Sequence, residues 1–311
     1  MLLPRDISTF MKEKQLMNDK TLTVITTTYN RDYCLHQVYE SLLRQTSDDF
    51  IWLIIDDGST DNTKEIVQRW KSENRIEIEY YYKPNGGMHT ARNLAYEKVH
   101  TELNVIIDSD DWMTDDGVEI IVEYWKEHGS EKYYGIISQN IDLQGNVLGS
   151  TFPKGLFSAK HRDLIEKYHI AGDKKLILRS ELSKKYPYPE FEGEKFYPAS
   201  YKFRKLDQDY ELLILNKATC VVDYNDDSMT FDKFAQYKAN CKGFAHYRNE
   251  MISMSQSPGH IIKDMIHYIT ESRMAGNRHY VLNSSKPVYA ALCYVPGRIY
   301  GYYLNHTKRK Y

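Results

Sequence analysis

Four short apolar stretches, each followed by a polar turn and a helix-like segment, constrain the fold of this 311-residue chain most strongly. The stretches are residues 22–26, 50–55, 76–82 and 103–107. Helical spacing of apolar residues follows them, up to about residue 45 and then over 62–71, 89–99 and 114–128. Strands that alternate with helices are typical of a parallel sheet covered by helices. The sequence therefore predicts a doubly wound α/β fold.

Each predicted strand ends in a polar turn, at residues 27–32, 56–61, 83–87 and 108–111. The carboxyl ends of parallel strands meet at one edge of a sheet, where ligands of open α/β folds bind. We therefore expect the four turns to form one site. The first turn lacks the glycine-rich fingerprint of dinucleotide-binding folds, which disfavours hydride chemistry on NAD.

The fourth turn carries three carboxylates in four residues, Asp108, Asp110 and Asp111. Alternate residues of an extended chain point the same way, so Asp108 and Asp110 share a side. Their repulsion is relieved by a hard cation such as Mg²⁺ or Mn²⁺, completed by phosphate oxygens. The other interpretation is a cap for the helix at 114–128, because carboxylates are favoured at helix N-termini. We assign that capping role to Asp111.

Two of the other turns offer groups that suit a nucleotide. Asp57 is able to accept a hydrogen bond from a base N–H, and Gly58 lets the backbone come close to a ligand. Asn85 precedes a helix whose early face carries Arg92, which favours a phosphate nearby. The alternatives are ordinary turn-and-cap chemistry at Asp57 and a solvated helix residue at Arg92.

Composition narrows the class of protein. The net charge is −2, and the chain shows no recognised nucleic-acid-binding module, so we expect no nucleic acid partner. The four cysteines lack a paired spacing, which indicates neither a zinc site nor a disulfide framework. We see neither a signal peptide nor a run of apolar residues long enough to span a membrane. These features predict a cytoplasmic protein.

Four segments together resemble the consecutive signatures of family-2 glycosyltransferases, enzymes of the GT-A fold that use nucleotide-activated sugars. They are residues 23–31, 54–61, 85–93 and 108–111, in the family's order and spacing. The resemblance covers residues 22–124 strongly and extends more weakly to about 230. Within the family, the chain resembles bacterial enzymes that build capsule, exopolysaccharide or cell-wall glycans.

The resemblance implies a GT-A (Rossmann-like), mostly parallel sheet flanked by helices, with a C-terminal helical extension. The corresponding division is an N-terminal extension at 1–20, a catalytic domain at 21–225 and a helical region at 226–311. It further implies that Thr27, Thr28 and Tyr29 line the nucleoside of a UDP-sugar. Asp57 would bond the uracil edge. The family commonly has Pro where this chain has Thr27.

The family's remaining donor-site roles fall on the next two turns. By the same resemblance, Asn85 and Arg92 reach ribose or phosphate. Asp108 and Asp110 form the DXD element that holds Mn²⁺ or Mg²⁺, with Asp110 as the direct ligand. The reaction implied is metal-dependent, inverting transfer of a sugar to a glycan or lipid-linked acceptor.

An inverting transfer needs a base, and the family places it in a Glu-Asp pair downstream of the DXD element. Here Lys195 stands where the Asp of that pair is expected. Either Glu194 or Glu192 is then the base, and we favour Glu194. If the alignment is shifted, Asp207 and Asp209 are more distant candidates. The alternative is that the two glutamates are solvated loop charges.

The C-terminal part of the chain reads as helices at 231–255 and 260–273, followed by a basic and aromatic tail. No acid occurs after Glu271, while basic residues accumulate among tyrosines. The basic residues are Arg273, Arg278, Lys286, Arg298, Lys308, Arg309 and Lys310. Such a tail suits peripheral contact with an anionic membrane, and helix packing or a homo-oligomer contact is the alternative.

Two other functions share some of these features. A nucleotidyltransferase acting on sugar phosphates also uses a Rossmann-like sheet with acidic metal ligands, and it would release pyrophosphate. A non-catalytic sugar-nucleotide-binding protein is suggested by Lys195 in place of the expected acid.

Overall fold

The computed structural model describes residues 20–223 and 233–306. The predicted N-terminal extension at 1–20 lies almost entirely outside these residues. Two compact units are present. Among the described residues, the first contains 20–85, 91–187 and 206–223, and the second contains 86–90, 188–205 and 233–306. The division of the chain at residue 225 stays a prediction.

One mixed sheet forms the centre of the first unit. Its strands are β1 Leu22–Thr28, β2 Phe50–Asp56, β3 Ile78–Tyr82, β4 Leu103–Ile106, β5 Trp112–Met113, β6 Tyr133–Ile141, β7 Ser158–Ala159, β8 Lys174–Arg179 and β9 Glu211–Val221. The order is β3-β2-β1-β4-β8-β6-β9-β5, with β7 paired to β9. Strands β1 to β4 are parallel to one another, as the alternating pattern predicts. The α/β fold is thereby confirmed.

Helices connect these strands at the positions that the apolar spacing indicates. They are α1 Leu35–Leu43, α2 Thr63–Glu73, α3 Met88–Lys98, α4 Gly117–His128, α5 His161–Glu166 and α6 Ser180–Lys185. The core between helices and sheet is aromatic in part. Tyr39 of α1 stacks on Trp70 of α2 with ring centroids 4.5 Å apart. Trp52 of β2 is fully buried, and its indole N–H donates to the Thr26 hydroxyl at 3.0 Å, which satisfies its polar atom.

The second half of the sheet departs from a simple parallel arrangement. Strand β8 runs antiparallel to β4 and to β6, with Ile177 facing both Val105 and Ile136. Two reversals place the carboxyl ends of β4 and β6 at the same edge. Residues 142–145 form a tight turn, and residues 146–149 are not a strand. Only Val147 bridges to Ile141, because β8 and β9 already occupy both edges of β6.

The second unit is helical in the part that the structure describes. Its helices are α7 Ser200–Leu206, α8 Lys233–Ala239, α9 Cys241–Met254, α10 Pro258–Met274, α11 Pro287–Leu292 and α12 Tyr294–His306. Ile252, Met265 and Ile269 are buried at its centre. Gly297 of α12 lies against Ile269, where a Cβ would come within 2.7 Å of the side chain. No helix within residues 20–223 and 233–306 has the length and apolar character needed to cross a bilayer.

Candidate active site

The turns after β1 and β2 are joined by hydrogen bonds. Asn30, in the left-handed region with φ 53°, donates its backbone N–H to the Ser59 hydroxyl at 2.9 Å. Its side-chain oxygen accepts the Thr60 N–H at 2.7 Å. The backbone N–H of Asp32 likewise donates to Asp61 at 3.0 Å. Two of the predicted ligand turns therefore hold each other in place.

Asp57 lies at the centre of a polar cluster at this edge of the sheet. Its side chain is buried, and its carboxylate accepts the Lys83 ammonium at 2.6 Å and the Asn85 amide at 3.2 Å. The Asn85 amide also donates to the Asp57 carbonyl at 2.8 Å, and the Asp57 N–H donates to Thr28. The structure thus brings together Asp57 and Asn85 as the turn pattern predicts. Lys83 was missed, although a Lys at the end of a strand before Pro-Asn was a usable signal.

The residues assigned to a nucleoside line the end of β1. The Thr28 side chain is buried, and its hydroxyl has no hydrogen-bond partner among the described residues. Thr27 is partly exposed, and Tyr29 is 48% exposed. The exposed ring of Tyr29 beside the Asp57 cluster is suited to stacking on a flat base.

Gly58 is required by the shape of this cluster. Its φ is +91°, and a Cβ there would come within 2.7 Å of the Asn85 backbone nitrogen. We expect Gly58→Ala to lower the free energy of unfolding by about 2–3 kcal/mol, from strain plus collision. Gly145→Ala is the matched control, because Gly145 has φ +82° with no atom within 4 Å of the added Cβ. Urea unfolding of both variants checks this, and equal losses would contradict the collision.

In the acidic turn after β4, two of the three carboxylates each lie beside an arginine. Asp108 pairs with Arg92 at 3.2 Å, and Asp110 lies 3.9 Å from Arg31. The side chains of Asp108 and Asp110 are 47% and 24% exposed, so both carboxylates face accessible space. Arg31, which also bonds the Tyr33 hydroxyl, was not predicted as a site residue. Its position beside Asp110 depends on the fold of the β1 turn.

Asp111 does not cap a helix, contrary to the sequence interpretation. Helix α4 starts later, with Asp116 at its N-cap position. The Asp111 carboxylate instead turns into the core, 3.4 Å from the Lys175 ammonium. Burial raises the pKa of Asp111 to about 6, against the attraction of Lys175. Burial also raises the pKa of the adjacent Cys220 thiol to about 12, which keeps it protonated at neutral pH.

The donor set at this turn fits a hard divalent cation bound partly by a ligand. Within the described ranges, no group of three or more His, Cys, Asp or Glu side chains is arranged to hold a metal ion. Two accessible carboxylates, Asp108 and Asp110, remain. Mg²⁺ and its analogues are commonly held by one or two carboxylates and completed by phosphate oxygens. The residues present therefore fit a metal that arrives with a diphosphate.

The loop that carries the predicted base belongs to the second unit. The two carboxylate oxygens of Glu194 accept the backbone N–H groups of Lys242 and Gly243, at 2.8 and 2.7 Å. These N–H groups open helix α9, so Glu194 closes its N-terminus from outside the helix. In return, the Asn240 side chain accepts the N–H groups of Lys195 and Phe196, both at 2.9 Å. The loop and the start of helix α9 therefore hold each other in position.

The other acidic candidates differ in their surroundings. Glu192 and Asp209 are exposed. Asp207 is buried in the first unit, where its carboxylate accepts the Tyr134 hydroxyl at 3.1 Å and the His161 N–H at 2.8 Å. A further bond from the N–H of Arg162, at 2.7 Å, completes a cap of α5. A buried carboxylate with three donors has a structural role, which leaves the loop glutamates as the candidates for a base.

Two curated relatives carry names that bear on this site. The chain is 33% identical over 153 residues to an uncharacterized glycosyltransferase of Rickettsia bellii, a match that covers 45% of this chain and 21% of the relative. It is 36% identical over 108 residues to the putative teichuronic acid biosynthesis glycosyltransferase TuaG of Bacillus subtilis, covering 34% of this chain and 42% of that protein. The chain thus spans about a fifth of the length of the Rickettsia relative.

Solved structures show the same fold at low identity. Staphylococcus aureus TarS 1–349 in complex with UDP-GlcNAc has a TM-score of 0.58 and 17% identity, covering 92% of this chain and 91% of that one. The mannosyltransferase PcManGT from Pyrobaculum calidifontis, in complex with GDP-Man and Mn²⁺, has a TM-score of 0.53 and 15% identity, covering 96% and 91%.

The family itself is established by a match along the sequence. The family model described as Glycosyl transferase family 2 matches residues 23–186, which include both the Asp57 cluster and the acidic turn. That match covers more than half of the chain, and therefore the protein belongs to glycosyl transferase family 2.

Proposed function

We propose that the protein transfers a sugar from a UDP-sugar to a glycan of the bacterial cell envelope, with inversion and with the help of Mn²⁺ or Mg²⁺. The observation that carries the proposal is one sheet edge with two clusters, the buried Asp57 turn and the accessible Asp108 and Asp110 carboxylates. Support for the donor comes from the TarS complex with UDP-GlcNAc, and support for the acceptor from the name of TuaG.

The Asp57 cluster is proposed to bind the nucleoside. Asp57 accepts a hydrogen bond from the uracil edge, while Thr27, Thr28 and Tyr29 line the base. Lys83 and Asn85 hold the Asp57 carboxylate from two sides, and this fixes the direction of its remaining lone pairs. A carboxylate held in one orientation discriminates between bases by the N–H groups that it is able to accept.

The acidic turn is proposed to bind the diphosphate. Asp110, assisted by Asp108, would hold the cation, which supplies charge neutralisation for the leaving diphosphate. Arg92 and Arg31 already lie beside these carboxylates, and each presents a guanidinium fork suited to phosphate oxygens. Charge that develops on the departing diphosphate is therefore met by groups fixed before the reaction.

Glu194 is proposed as the base that takes the proton of the acceptor hydroxyl, with Glu192 as the alternative in the same loop. We expect Glu194→Gln to lower kcat about 100-fold, because proton transfer is lost. The amide retains one oxygen for the N-terminus of α9, and the donor KM should stay unchanged. Glu192→Gln is the matched control in the same loop.

The results for Glu194→Gln and Glu192→Gln together identify which loop glutamate is the base. If Glu194→Gln lowers only the unfolding midpoint and leaves kcat as in the parent, then Glu194 serves α9 alone. A loss of kcat confined to Glu192→Gln would move the base to Glu192.

The C-terminal tail is proposed to contact an anionic membrane surface, which would bring the enzyme to a lipid-linked acceptor. Helices α11 and α12 expose an apolar stripe with alternating spacings of four and three residues, and each member is at least 60% exposed. Its members are Val288, Leu292, Val295, Ile299 and Tyr302. No acid follows Glu271 in the sequence, so the charge around the stripe is positive. Lys308, Arg309 and Lys310 lie outside the described residues.

Vesicle flotation checks the tail contact. We expect the parent to float with vesicles of phosphatidylcholine and phosphatidylglycerol but not with phosphatidylcholine alone. The double variant Leu292→Glu, Ile299→Glu should lose flotation, whereas Ile262→Glu, at an exposed position of α10, should keep it. Flotation of the double variant would contradict the proposal. If the double variant differs from the parent in molar mass in solution, the stripe is instead a contact between chains.

A single assay tests the proposed activity against its alternatives. The protein is incubated with Mn²⁺ and a panel of UDP-sugars, and UDP release is measured. A parallel reaction contains UTP with a sugar 1-phosphate, and pyrophosphate is measured. UDP release is the expected result. Pyrophosphate release would favour nucleotidyl transfer, and binding of UDP-sugars without any turnover would favour a non-catalytic binding protein.

A further inference from the structure

A cavity of about 400 Å³ lies within the second unit, apart from the two clusters described above. It opens between helices α9 and α10, the loop at Phe191 and the segment after α10 that contains Asn277 and Asn283. This volume falls within the range of small-molecule sites in proteins. Neither the proposed donor site nor the proposed base uses it.

The lining of the cavity combines aromatic rings with amides. Phe191, His246 and Tyr268 supply the rings, while Asn249 and Asn277 are two of the amides. A sugar ring needs this pairing, because its C–H face packs on an aromatic ring and its hydroxyls bond to amides. The lining therefore has the composition of a saccharide site.

The polar groups around the cavity are mainly hydrogen-bond donors. The side-chain oxygen of Asn249 accepts the Ser285 N–H at 2.8 Å, and that of Asn277 accepts the His279 N–H at 3.0 Å. Each amide thus turns its oxygen to the backbone. One N–H of Asn249 donates to the Asn283 carbonyl at 3.4 Å, and its second N–H and the Asn277 amide nitrogen are left for other partners. Lys242 adds a cation, and no carboxylate is found among the described residues that line the cavity. This set favours a ligand rich in oxygen acceptors and negatively charged.

Ser272 also lines the cavity, is 1% exposed and lies beside the Tyr268 hydroxyl. It adds a buried hydroxyl to the polar groups of the lining. Burial also lowers the pKa of His246, so this ring is neutral at pH 7 and leaves Lys242 as the cation of the lining.

The cavity adjoins the loop of the proposed base within the same unit. Lys242 lines it, and the backbone N–H of Lys242 donates to Glu194 at 2.8 Å. The Lys242 ammonium donates to the carbonyl of Glu192 at 3.1 Å. A saccharide held in the cavity would therefore lie next to the segment that carries both candidate bases.

We infer that this cavity binds the acceptor glycan, and that its ligand is a saccharide or sugar alcohol with an anionic substituent, a carboxylate or a phosphodiester. The inference rests on the proposed function, because it names the acceptor for that reaction. The Asn249 and Asn277 amides and Lys242 contact the oxygens of the acceptor. The aromatic rings hold its apolar face.

Binding of defined oligomers to the full chain tests the inference. The probes are a hyaluronan tetrasaccharide for the carboxylate, a ribitol phosphate oligomer for the phosphodiester, and chitotetraose as the neutral comparison. We expect at least one anionic probe to bind several-fold more tightly than chitotetraose, and the preferred probe identifies the substituent. Equal binding of all three, or no binding of either anionic probe, would overturn the inference.

Two variants locate the binding in the cavity. Ala275→Trp fills it from the end of α10, and Ala291→Trp, at an exposed position of α11, is the matched control. Asn277→Asp keeps the bond to the His279 N–H but replaces donors with a negative charge. We expect Ala275→Trp to weaken the preferred anionic probe about tenfold, and Asn277→Asp to weaken it while sparing chitotetraose.

The donor reaction separates failure of this inference from failure of the proposed function. UDP binding should be unchanged in Ala275→Trp and Asn277→Asp, because neither residue belongs to the donor site, whereas acceptor-dependent UDP release should fall in both. If both variants bind the anionic probe as the parent does, the cavity is not the acceptor site, whatever the enzyme transfers. If the parent binds the probe in the cavity but never binds or releases UDP, the proposed function fails, and with it the acceptor role.

Discussion

Replacing Asp110 by Asn is expected to lower the rate of UDP release about 10³-fold, the loss that follows when a metal-held leaving group is no longer stabilised. Asp110 is accessible and has Arg31 at 3.9 Å as its ion-pair partner. An amide at this position is a weaker ligand and carries no charge. The metal-dependent part of UDP binding should disappear together with turnover.

The control for this variant is Asp116→Asn. Asp116 is exposed and lies at the start of α4, six residues after Asp110. It should retain the rate of the parent. The unfolding midpoints of both variants should stay close to that of the parent, since neither carboxylate is buried. If Asp110→Asn releases UDP as fast as Asp116→Asn does, the diphosphate site is wrongly placed.

Replacing Lys175 by Met is expected to lower the free energy of unfolding by about 3 kcal/mol, because it leaves Asp111 buried without its cation. The two side chains are each 9% exposed and 3.4 Å apart. Burial opposes the charge on Lys175, but the neighbouring Asp111 carboxylate raises its pKa above the usual value, which keeps it charged. Urea unfolding at neutral pH measures the loss.

Lys174→Met is the matched control for this second prediction. The Lys174 ammonium donates to the carbonyls of Leu148 and Ala171, at 2.7 and 3.4 Å, and Asp173 is the carboxylate near it. Its loss should be about 1 kcal/mol. Adding Asp111→Leu to Lys175→Met should recover much of the stability, because both charges are then absent. A Lys175→Met variant no less stable than Lys174→Met would show that the pair contributes little.

The strands were predictable where the sequence carries an uninterrupted apolar run. Leu22–Thr28, Phe50–Asp56 and Leu103–Ile106 form close to the expected positions, because each must be buried on both faces between helices. The antiparallel direction of β8 between β4 and β6 was not predictable, since direction depends on the path of the intervening chain.

Some of the site residues were likewise predictable from local sequence, whereas others depend on contacts with distant parts of the chain. Asp57 and Asn85 share a cluster, which the alignment of parallel strand ends predicts. Asp111 was misinterpreted, because its partner Lys175 comes from a strand 64 residues later. Lys175 itself is one of three basic residues of β8, with Lys174 and Arg179, and the sequence does not show which of them meets a buried acid. Arg31 could not be assigned to the site from the sequence, because its position depends on how the turn after β1 contacts the acidic turn.

The predicted base loop illustrates what spacing alone leaves open. The sequence places Glu192 and Glu194 in a loop rich in Pro and Gly, where solvated charges are common. The structure gives Glu194 two backbone donors from a helix that begins at Cys241, far away along the chain. No local sequence pattern predicts that contact.

The central claim is that the Asp57 cluster and the acidic turn form one site for UDP and a divalent cation. The most direct measurement is the thermal unfolding midpoint of the full chain with UDP, with Mn²⁺, with both and with neither. We predict that UDP and Mn²⁺ together raise the midpoint more than the sum of the separate shifts, and that Asp110→Asn abolishes this excess. Absence of any shift with UDP and Mn²⁺, or a shift with NAD instead, would contradict the account.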